Sequence, residues 1–489
     1  MKKQHTTSYR ILVFLLIMFF FNIGCEQKEP PNILVIMSDD HCKAAISSYG
    51  SEIIQTPSID RLAKEGMIFH NMMVSNSLCA PSRAILLTGK HSHNNGMMIN
   101  RDLFNGQQQT FPKLLQEVGY ETGIIGKWHL KTRPEGFDFY SLMDGQGQYY
   151  DCPLKESDQE WDSPGKPHKG YLTDVITDKS IEWLEKRKKK KPFCLLVHHK
   201  APHGPHDPAP RHADLFENQY ISEPATLYDD YEGKAPEPIE DKLSSSRMAI
   251  CRYPQYREEI QKYAGNKKKS TQYIYQVYMK GYLRLVKSLD ENVGRLLDYL
   301  DESALARNTL VIYISDNGFF TGEHGFFNKM WMYEPSMNLP LIMRLPGMIE
   351  AETRSENLLS LPDLTATLLE ISGNTPPADI QGKSFYDILK GRTKTVINEA
   401  VYYHYYEAYN VPEQIGIRTE THKLIYFPTM PEDYKWELYD IQKDPAEIQN
   451  LYHHESSLEK QKHMKRMLKE KIKELKDTTA IKFNLSTNL

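Results

Sequence analysis

The chain has 489 residues and a formal net charge of −4, from 60 basic and 64 acidic side chains. Because there is no basic excess, general electrostatic binding of nucleic acid is not expected. Hydrophobic residues make up 40% of the chain, enough for a large core. The length corresponds to about two to four domains, or to one large domain with an appendage.

Six cysteines are scattered along the chain without a CxxC motif or a Cys/His finger spacing, so a structural zinc site is not expected. One or two disulfide bridges could form, and the sequence leaves their pairing open. The cysteines are Cys25, Cys42, Cys79, Cys152, Cys194 and Cys251.

The N-terminus has the features of an export signal. Basic residues precede an apolar run at residues 11–21, which is short for a bilayer span but suits a signal-peptide core. Gly24-Cys25 resembles a bacterial lipoprotein box, although Asn22 departs from its usual leucine. We therefore expect residues 1–25 to be a lipoprotein signal peptide in which Cys25 is lipidated. Ordinary export and an uncut membrane anchor are the alternatives.

This leader predicts an exported protein, located in the periplasm or at the outer membrane of a Gram-negative bacterium. The lipid anchor would be its only contact with the membrane, since no later segment reaches the roughly 18 consecutive apolar residues of a spanning helix.

The next part of the chain alternates between apolar strands and helices. Continuous apolar runs, typical of strands buried on both faces, lie at residues 32–38, 122–125, 193–197, 309–315 and 339–343. Helical periodicity lies between them, at residues 59–65, 111–118, 171–186, 282–300 and 361–370. This alternation predicts an α/β fold, with a mostly parallel central sheet covered by helices, over residues 26–395.

Two regions depart from the alternation. Residues 204–275 are polar and rich in Pro, Tyr and charge, which indicates an insertion near a binding surface. Residues 396–489 predict three antiparallel strands and a charged helix at about 457–476, forming a smaller C-terminal α+β domain. The basic run at residues 186–191 could bind a polyanion, but a solvated helix end explains it more simply.

Polar clusters follow four of the predicted strands. Open α/β sheets bind ligands outside the carboxyl ends of their strands, so these clusters are expected to converge. They are Asp39, Asp40 and His41; Lys127 with His129; His198, His199, Lys200 and His203; and Asp316 with Asn317.

The residue types in these clusters indicate a chemistry. Asp39, Asp40, Asp316 and Asn317 offer only oxygen, as calcium or magnesium requires. Arg83, Lys127 and Lys329 suit an oxyanion, whereas His129 and His203 can exchange protons near neutral pH. Together they describe a site for a tetrahedral anionic group beside a divalent metal.

The segment Cys79-Ala80-Pro81-Ser82-Arg83 resembles the C-x-P-S-R signature of type I sulfatases, in the alkaline-phosphatase-like superfamily. Leu-Thr-Gly follows at residues 87–89, and further motifs similar to those of the family occur in order over about residues 30–480. They are SDD (38–40), GKWH (126–129), HKAPH (199–203), SDNG (315–318) and EHG (323–325), with Lys329 downstream.

The resemblance implies that Cys79 is oxidised to Cα-formylglycine (3-oxoalanine). A formylglycine-generating enzyme or an anaerobic sulfatase-maturating enzyme would carry this out. The hydrated aldehyde would attack sulfur and form a sulfo-enzyme intermediate. The second hydroxyl of the hydrate would then lose a proton, expel sulfate and restore the aldehyde.

The resemblance also implies the roles of the neighbouring residues. Asp39, Asp40, Asp316 and Asn317, together with the modified Cys79, would bind Ca²⁺. Arg83 and His129 would hold or deprotonate the formylglycine hydroxyl. Lys127 and Lys329 would bind sulfate oxygens, and His203 would protonate the leaving alcohol.

The strings LLVHHKAPH, YYHYYE and GIRTETHKLI resemble bacterial N-acetylglucosamine-6-sulfatase-type glycan sulfatases. This favours 6-O-sulfated N-acetylglucosamine of glycosaminoglycan or mucin glycans as substrate, with His324 and His404 as sugar contacts. Two alternatives stay open: a phosphonate monoester or phosphodiester hydrolase of the same superfamily, and an inactive glycan-binding lipoprotein.

Overall fold

The structure, a computed structural model, describes residues 30–236, 254–263, 265–392 and 395–483. The predicted signal peptide with Cys25 lies outside the described residues. Residues Pro31–Leu489 form a unit separate from Met1–Pro30, and the domain boundaries at 26, 395 and 396 stay predictions.

The larger sheet has ten strands in the order β10-β2-β8-β7-β1-β6-β3-β4-β5, with β9 paired to β2. Most neighbours are parallel; β8 runs antiparallel to β2 and β7, and β5 to β4. The strands are β1 Asn32–Asp39, β2 Met67–Met73, β3 Glu121–Lys127, β4 Phe139–Met143, β5 Leu154–Glu156, β6 Phe193–Pro202, β7 Thr309–Ser315, β8 Asn338–Arg344, β9 Thr353–Ser355 and β10 Leu359–Ser360.

The second sheet is antiparallel in the order β11-β12-β13-β14, formed by Ala400–Tyr405, Gln414–Thr419, His422–Tyr426 and Trp436–Asp440. The predicted α/β fold with a second, antiparallel sheet is thus confirmed. The small sheet has four strands rather than the predicted three, because the chain turns between Thr419 and His422 and divides one predicted strand into β12 and β13. The helices are α1 Pro57–Lys64, α2 Cys79–Thr88, α3 Ser92–Asn95, α4 Phe111–Glu117, α5 Leu172–Lys186, α6 Pro254–Lys262, α7 Lys267–Glu302, α8 Glu334–Met337, α9 Leu361–Ile371, α10 Tyr386–Leu389, α11 Leu458–Glu474 and α12 Thr478–Ile481. None of them, within the described ranges, has the length and apolar composition needed to cross a membrane.

The alternation of side chains along β1 explains its apolar run. Ile33 and Val35 belong to a core that includes residues of α2, α4 and α9. Leu34 and Ile36 belong to a second core, with residues of α1, α5 and α7. Because successive strand residues point to opposite faces, a strand covered by helices on both sides must be apolar at every position.

Two elements have other boundaries in the structure than the sequence predicts. Strand β6 continues to Pro202, so His198, His199 and Lys200 lie within the strand rather than after it. Helix α7 begins at Lys267, well before the predicted residue 282. The first turns of α7 are mostly polar and half-exposed, so the apolar periodicity of the helix is hidden there. These turns occupy the last part of the predicted 204–275 insertion.

Candidate active site

The carboxyl ends of four strands bring the predicted clusters together. In the parallel register, Ser38 of β1 pairs with Ser315 of β7, and Met37 pairs with His198 of β6. Gly126 of β3 pairs with His198 at a φ of +107°, and a Cβ there would lie 2.0 Å from the His198 carbonyl oxygen. Only glycine fits this close approach, which positions the chain that carries Lys127 and His129.

Cys79 is the first residue of α2 and is fully buried. Its Sγ lies 2.9 Å from Lys329 Nζ, 3.5 Å from Asp39 Oδ1 and 3.8 Å from Asn317 Nδ2. Burial raises the pKa of the thiol to about 12, although Lys127 and Lys329 partly oppose this. At neutral pH the group is therefore a thiol, not a thiolate nucleophile.

A cluster of oxygen ligands surrounds this cysteine. Ligand atoms of Asp39, Asp40, Asp316 and Cys79 all lie within 4.8 Å of one another. Asn317 Oδ1 is buried without a hydrogen-bond partner. Burial and the neighbouring carboxylates raise the pKa of Asp40 to about 7, and also raise that of Asp316.

This arrangement fits a hard divalent cation. Converging carboxylates repel one another unless a cation lies between them, and an unpaired buried amide oxygen is a ready ligand. Because the donors other than Cys79 are all oxygens, Asp39, Asp40, Asp316 and Asn317 suit Ca²⁺.

Arg83 lies one helical turn after Cys79, on the same face of α2. It donates to Asp316 Oδ2 from Nε (3.1 Å) and Nη2 (2.8 Å), and from Nη1 to the Lys127 carbonyl oxygen (2.8 Å). This paired geometry fixes both side chains. Arg83 thus connects α2 to the ends of β7 and β3.

Two lysines pair with the two aspartates that follow β1. Lys127 forms a buried ion pair with Asp39, and Lys329 Nζ lies 2.7 Å from Asp40 Oδ2. Burial alone would raise the pKa of Asp39, but the charges of Lys127, His203 and Arg83 hold it well below its usual range. The structure places Lys329, predicted only from its position after EHG, beside both Asp40 and Cys79.

The two predicted proton-exchanging histidines lie around this cluster. His203 Nε2 is 3.7 Å from Asp40 Oδ2, and its Nδ1 is 2.7 Å from the Gly204 carbonyl oxygen. That carbonyl can only accept, so Nδ1 carries a proton and Nε2 faces the cluster. His129 has a φ of +62° and a buried Nδ1 without a partner. Its pKa is lowered by burial and by Lys127.

Of the residues that support this part of the site, sequence reasoning missed Tyr149. Tyr149 Oη donates to the His203 carbonyl oxygen (2.7 Å), and Lys200 Nζ donates to the Gly204 carbonyl oxygen (3.1 Å). His198 Nδ1 lies 3.2 Å from both Arg83 Nη1 and the Lys127 carbonyl oxygen. Lys200 and His198 belong to a predicted cluster, whereas no sequence signal marks Tyr149.

The two predicted sugar contacts have other partners. His324 Nδ1 lies 2.6 Å from Asp229 Oδ2. His404 lies between Asp477 Oδ2 (2.7 Å from Nδ1) and Glu413 Oε1 (2.9 Å from Nε2), and its ring stacks on Tyr406. Both histidines are 2% exposed. Their roles toward a sugar stay predictions, and His404 has both ring nitrogens engaged within the protein.

Comparison with known proteins agrees with this geometry. The sulfatase family profile matches residues 31–374, and the profile of the C-terminal region of N-sulphoglucosamine sulphohydrolase matches residues 322–476. An N-acetylglucosamine-6-O-sulfatase of Bacteroides thetaiotaomicron is 41% identical, with 98% of this chain and 92% of that protein covered.

Solved structures extend the likeness to the fold. A protein in complex with its substrate D-glucosamine-2-N,6-O-disulfate superposes with a TM-score of 0.83 at 41% identity, covering 92% of this chain and 99% of that one. A phosphonate monoester hydrolase from Silicibacter pomeroyi, at 18% identity and a TM-score of 0.73 over 90% and 95% of the two chains, shares the fold alone. The resemblance to sulfatases is confirmed: this chain belongs to the sulfatase family and is a sulfuric ester hydrolase.

Proposed function

We propose that this sulfatase removes the 6-O-sulfate from a glucosamine-type sugar, N-acetylglucosamine-6-sulfate, in glycosaminoglycan or mucin glycans. The observation that carries the proposal is the 41% identity, over 98% of the chain, to an N-acetylglucosamine-6-O-sulfatase. The substrate in the similar complex, D-glucosamine-2-N,6-O-disulfate, is also a glucosamine sulfated at O6. The shared feature of the two sugars is thus a 6-O-sulfate on a glucosamine ring.

We infer that Cys79 acts as a precursor, converted to formylglycine by a maturation enzyme. The high pKa of its buried thiol argues against direct thiolate attack. The hydrated aldehyde would supply an oxygen nucleophile at the start of α2. Ca²⁺, held by Asp39, Asp40, Asp316 and Asn317, would neutralise charge on the sulfate oxygens.

The charged side chains of the chain itself would bind and orient the sulfate group. Lys127 and Lys329 place ammonium groups beside Asp39 and Asp40, where they can meet oxygens that gain negative charge in the transition state. Arg83 keeps Asp316 in place through its paired hydrogen bonds. Their fixed positions reduce the reorganisation that the reaction requires.

His203 in its doubly protonated form would then protonate the leaving alcohol from Nε2. Burial lowers the pKa of this ring well below its usual range, and the charge of Asp39 favours the protonated form. Its Nδ1 proton is directed to the Gly204 carbonyl oxygen, so the ring cannot turn without losing that hydrogen bond. A positioned general acid typically contributes about a hundred- to ten-thousand-fold to the rate. His129, beside Lys127, would hold or deprotonate the nucleophile hydroxyl.

The substrate proposal is tested by sulfate release from a panel of sugars that carry sulfate at defined positions, using protein shown by mass spectrometry to contain the aldehyde. We expect the 6-O-sulfated glucosamines to be the fastest substrates. Phosphate esters of the same alcohols, run in parallel, measure any phosphodiesterase or phosphonate activity. Preference for another sulfate position, or for the phosphate esters, would overturn the proposal.

We also propose that the protein is exported and lipidated at Cys25. The support is the basic, apolar and Gly-Cys pattern of residues 1–25. Expression in a Gram-negative host with a labelled fatty acid tests it. The label should enter the parent protein and be absent from Cys25→Ser; equal labelling of both would contradict the proposal.

A further inference from the structure

The basic run at residues 186–191, here called the basic segment, forms the turn between α5 and β6. Lys188, Lys189, Lys190 and Lys191 are exposed, and no ion pair involving their ammonium groups is found among the described residues. Lys186 is paired with Glu182, and Arg187 packs over the Phe193 ring. The segment therefore presents four exposed lysines in a chain whose net charge is negative. One carboxylate, that of Glu121, lies at its backbone and accepts a hydrogen bond from the Lys188 N–H (2.7 Å).

The fold places this segment at the amino ends of the central parallel strands. This edge of the sheet is opposite the candidate active site, which lies at the carboxyl ends of the same strands. Strand β6 begins two residues after Lys191, at Phe193, and ends at Pro202, one residue before His203. Ten strand residues span roughly 30 Å. The cations are thus too far from the site to hold the sulfate group that reacts there.

The same edge is where the N-terminus joins the sheet. Strand β1 begins at Asn32, whose Oδ1 accepts a hydrogen bond from the Phe193 backbone N–H (3.1 Å). Tyr120 Oη donates to the Pro31 carbonyl oxygen (2.8 Å), and the Glu121 backbone N–H donates to the Pro192 carbonyl oxygen (2.9 Å). Tyr120 and Glu121, which are adjacent in the chain, therefore bind Pro31 and Pro192, respectively. Pro192 directly follows the basic segment.

The tether to the predicted anchor is short. Five residues, 26–30, separate Cys25 from Pro31, and a chain of this length reaches at most about 20 Å when fully extended. A lipid at Cys25 would therefore keep Pro31, and with it this edge of the sheet, close to a bilayer surface. The basic segment lies beside the tether's attachment point.

We propose that the basic segment is a membrane-contacting surface that binds the phosphate groups of an anionic lipid surface beside the anchor. This inference rests on the proposed lipidation at Cys25. It gives the anchored enzyme an orientation: the edge with the basic segment faces the membrane, and the carboxyl ends of the strands face away from it, toward polymeric substrate. Juxtamembrane lysines act in this way when they lie within a Debye length of anionic headgroups.

A sulfated polysaccharide offers the same anionic chemistry, but the position of the segment favours the membrane. A glycan chain bound at the active site would have to wrap around the sheet to reach residues 186–191. The lipid surface, in contrast, is brought there by the tether.

The test uses the full-length Cys25→Ser chain, so that binding does not depend on acylation. Its sedimentation is measured with vesicles of phosphatidylcholine alone and of phosphatidylcholine mixed with phosphatidylglycerol. The comparison is made with Lys188→Gln/Lys189→Gln/Lys190→Gln. A matched control, Lys267→Gln/Lys268→Gln/Lys269→Gln, removes the same charge at the start of α7.

We expect the parent and the α7 control to bind the anionic vesicles in a salt-sensitive manner. Since each lysine near an anionic surface contributes about fivefold, the 188–190 variant should bind roughly a hundredfold more weakly. Binding to neutral vesicles measures the contribution of the apolar run at residues 11–21. It should be the same for all three proteins. Sulfate release from a small substrate, measured separately on matured protein, should also be equal.

Equal binding of the parent and the 188–190 variant to anionic vesicles would overturn the proposal, as would no preference of the parent for anionic over neutral vesicles. Retention on immobilised heparin that depends on residues 188–190, without a matching dependence on anionic vesicles, would assign the segment to a polysaccharide instead. Loss of sulfatase activity with vesicle binding intact would count against the proposed function, not against this surface.

Discussion

Cys79 and His203 illustrate how single residues acquire their chemistry from their neighbours. Burial and the carboxylates of Asp39 and Asp316 raise the pKa of the Cys79 thiol against the opposing charges of Lys127 and Lys329, which suits a precursor better than a nucleophile. His203 receives a fixed orientation from the carbonyl oxygen of the next residue. The hydrogen bond from Tyr149 to its own carbonyl oxygen holds the backbone at this point.

We therefore predict that Tyr149→Phe lowers kcat about five- to tenfold on sulfated sugars, the effect of losing one hydrogen bond. The defect should nearly vanish on an aryl sulfate with an acidic phenol, because such a leaving group needs little protonation. Steady-state kinetics on both substrates measure this. Tyr150→Phe, which loses a hydrogen bond to Pro208, is the matched control, and an equal loss on both substrates would contradict a role through His203.

Calcium should stabilise the folded protein, because it relieves repulsion among Asp39, Asp40 and Asp316 and binds only the folded state. We expect added Ca²⁺ to raise the Tm of the parent, and a chelator to lower both Tm and activity. The Tm response should be lost in Asn317→Ala and retained in Asp290→Asn, which removes a buried carboxylate bonded to the Ser58 and Ile59 backbone N–H groups. Equal responses of Tm to Ca²⁺ in the two variants would exclude Asn317 as a ligand of the ion.

At the scale of elements, the convergence of the ends of β1 and β7 was predictable, whereas the end of β6 and the course of the chain between the strands were not. Asp39 and Asp316 end continuous apolar runs, so parallel pairing alone brings them together. The antiparallel direction of β8 and the early start of α7 have no comparable signal, because tertiary packing decides them. His404 illustrates the limit: its strand was predicted, whereas its partner Asp477 follows α11 and is distant in sequence.

The Asp229 carboxylate accepts hydrogen bonds from His324, in the turn at residues 323–325, and from Lys234. The bond with His324 connects the chain around Asp229 to this turn. Burial alone would raise the pKa of Asp229, but hydrogen bonds from His324 and Lys234 lower it to about 2. Since the folded-state pKa lies below the ordinary value of 3.8, the native state binds fewer protons than the unfolded state. The resulting stability, about 2 kcal/mol, is present above pH 4 and is lost as the pH falls toward 2.

Asp229→Asn should therefore unfold at lower urea concentration than the parent at pH 6, and the difference should narrow as the pH falls below 4. Urea titrations at a series of pH values measure this. Asp158→Asn, which removes a surface ion pair with Lys166, should change little. A difference that is independent of pH would show that the carboxylate charge of Asp229 does not stabilise this segment.

At the scale of the whole molecule, buried ion pairs join the small sheet to the large one. Lys423 of β13 is fully buried, with its Nζ 2.6 Å from Glu447 Oε1 and 2.9 Å from Glu334 Oε1. Glu334 is the first residue of α8, and α8 leads directly into β8. Arg418 of β12 also pairs with Glu334. These contacts fix the C-terminal sheet against the sheet that carries the active site.

Lys423→Met should destabilise the protein by about 3–5 kcal/mol, because it leaves the buried Glu447 carboxylate without a cation and Glu334 with Arg418 alone. Thermal unfolding measures the change. Lys443→Met, which removes an exposed pair with Asp440, is the control and should unfold like the parent. Similar unfolding of both variants would show that the buried network does not hold the two sheets together.

The central claim is that an aldehyde formed from Cys79 performs 6-O-desulfation of a glucosamine-type sugar. Its most direct test is sulfate release from N-acetylglucosamine-6-sulfate by matured protein, beside Cys79→Ala and Cys79→Ser expressed in the same host with the maturation enzyme. We predict that sulfate is released only by the parent, in proportion to the fraction of chains that carry the aldehyde. Near-parental release by Cys79→Ala, or no release by protein fully converted to the aldehyde, would contradict the account.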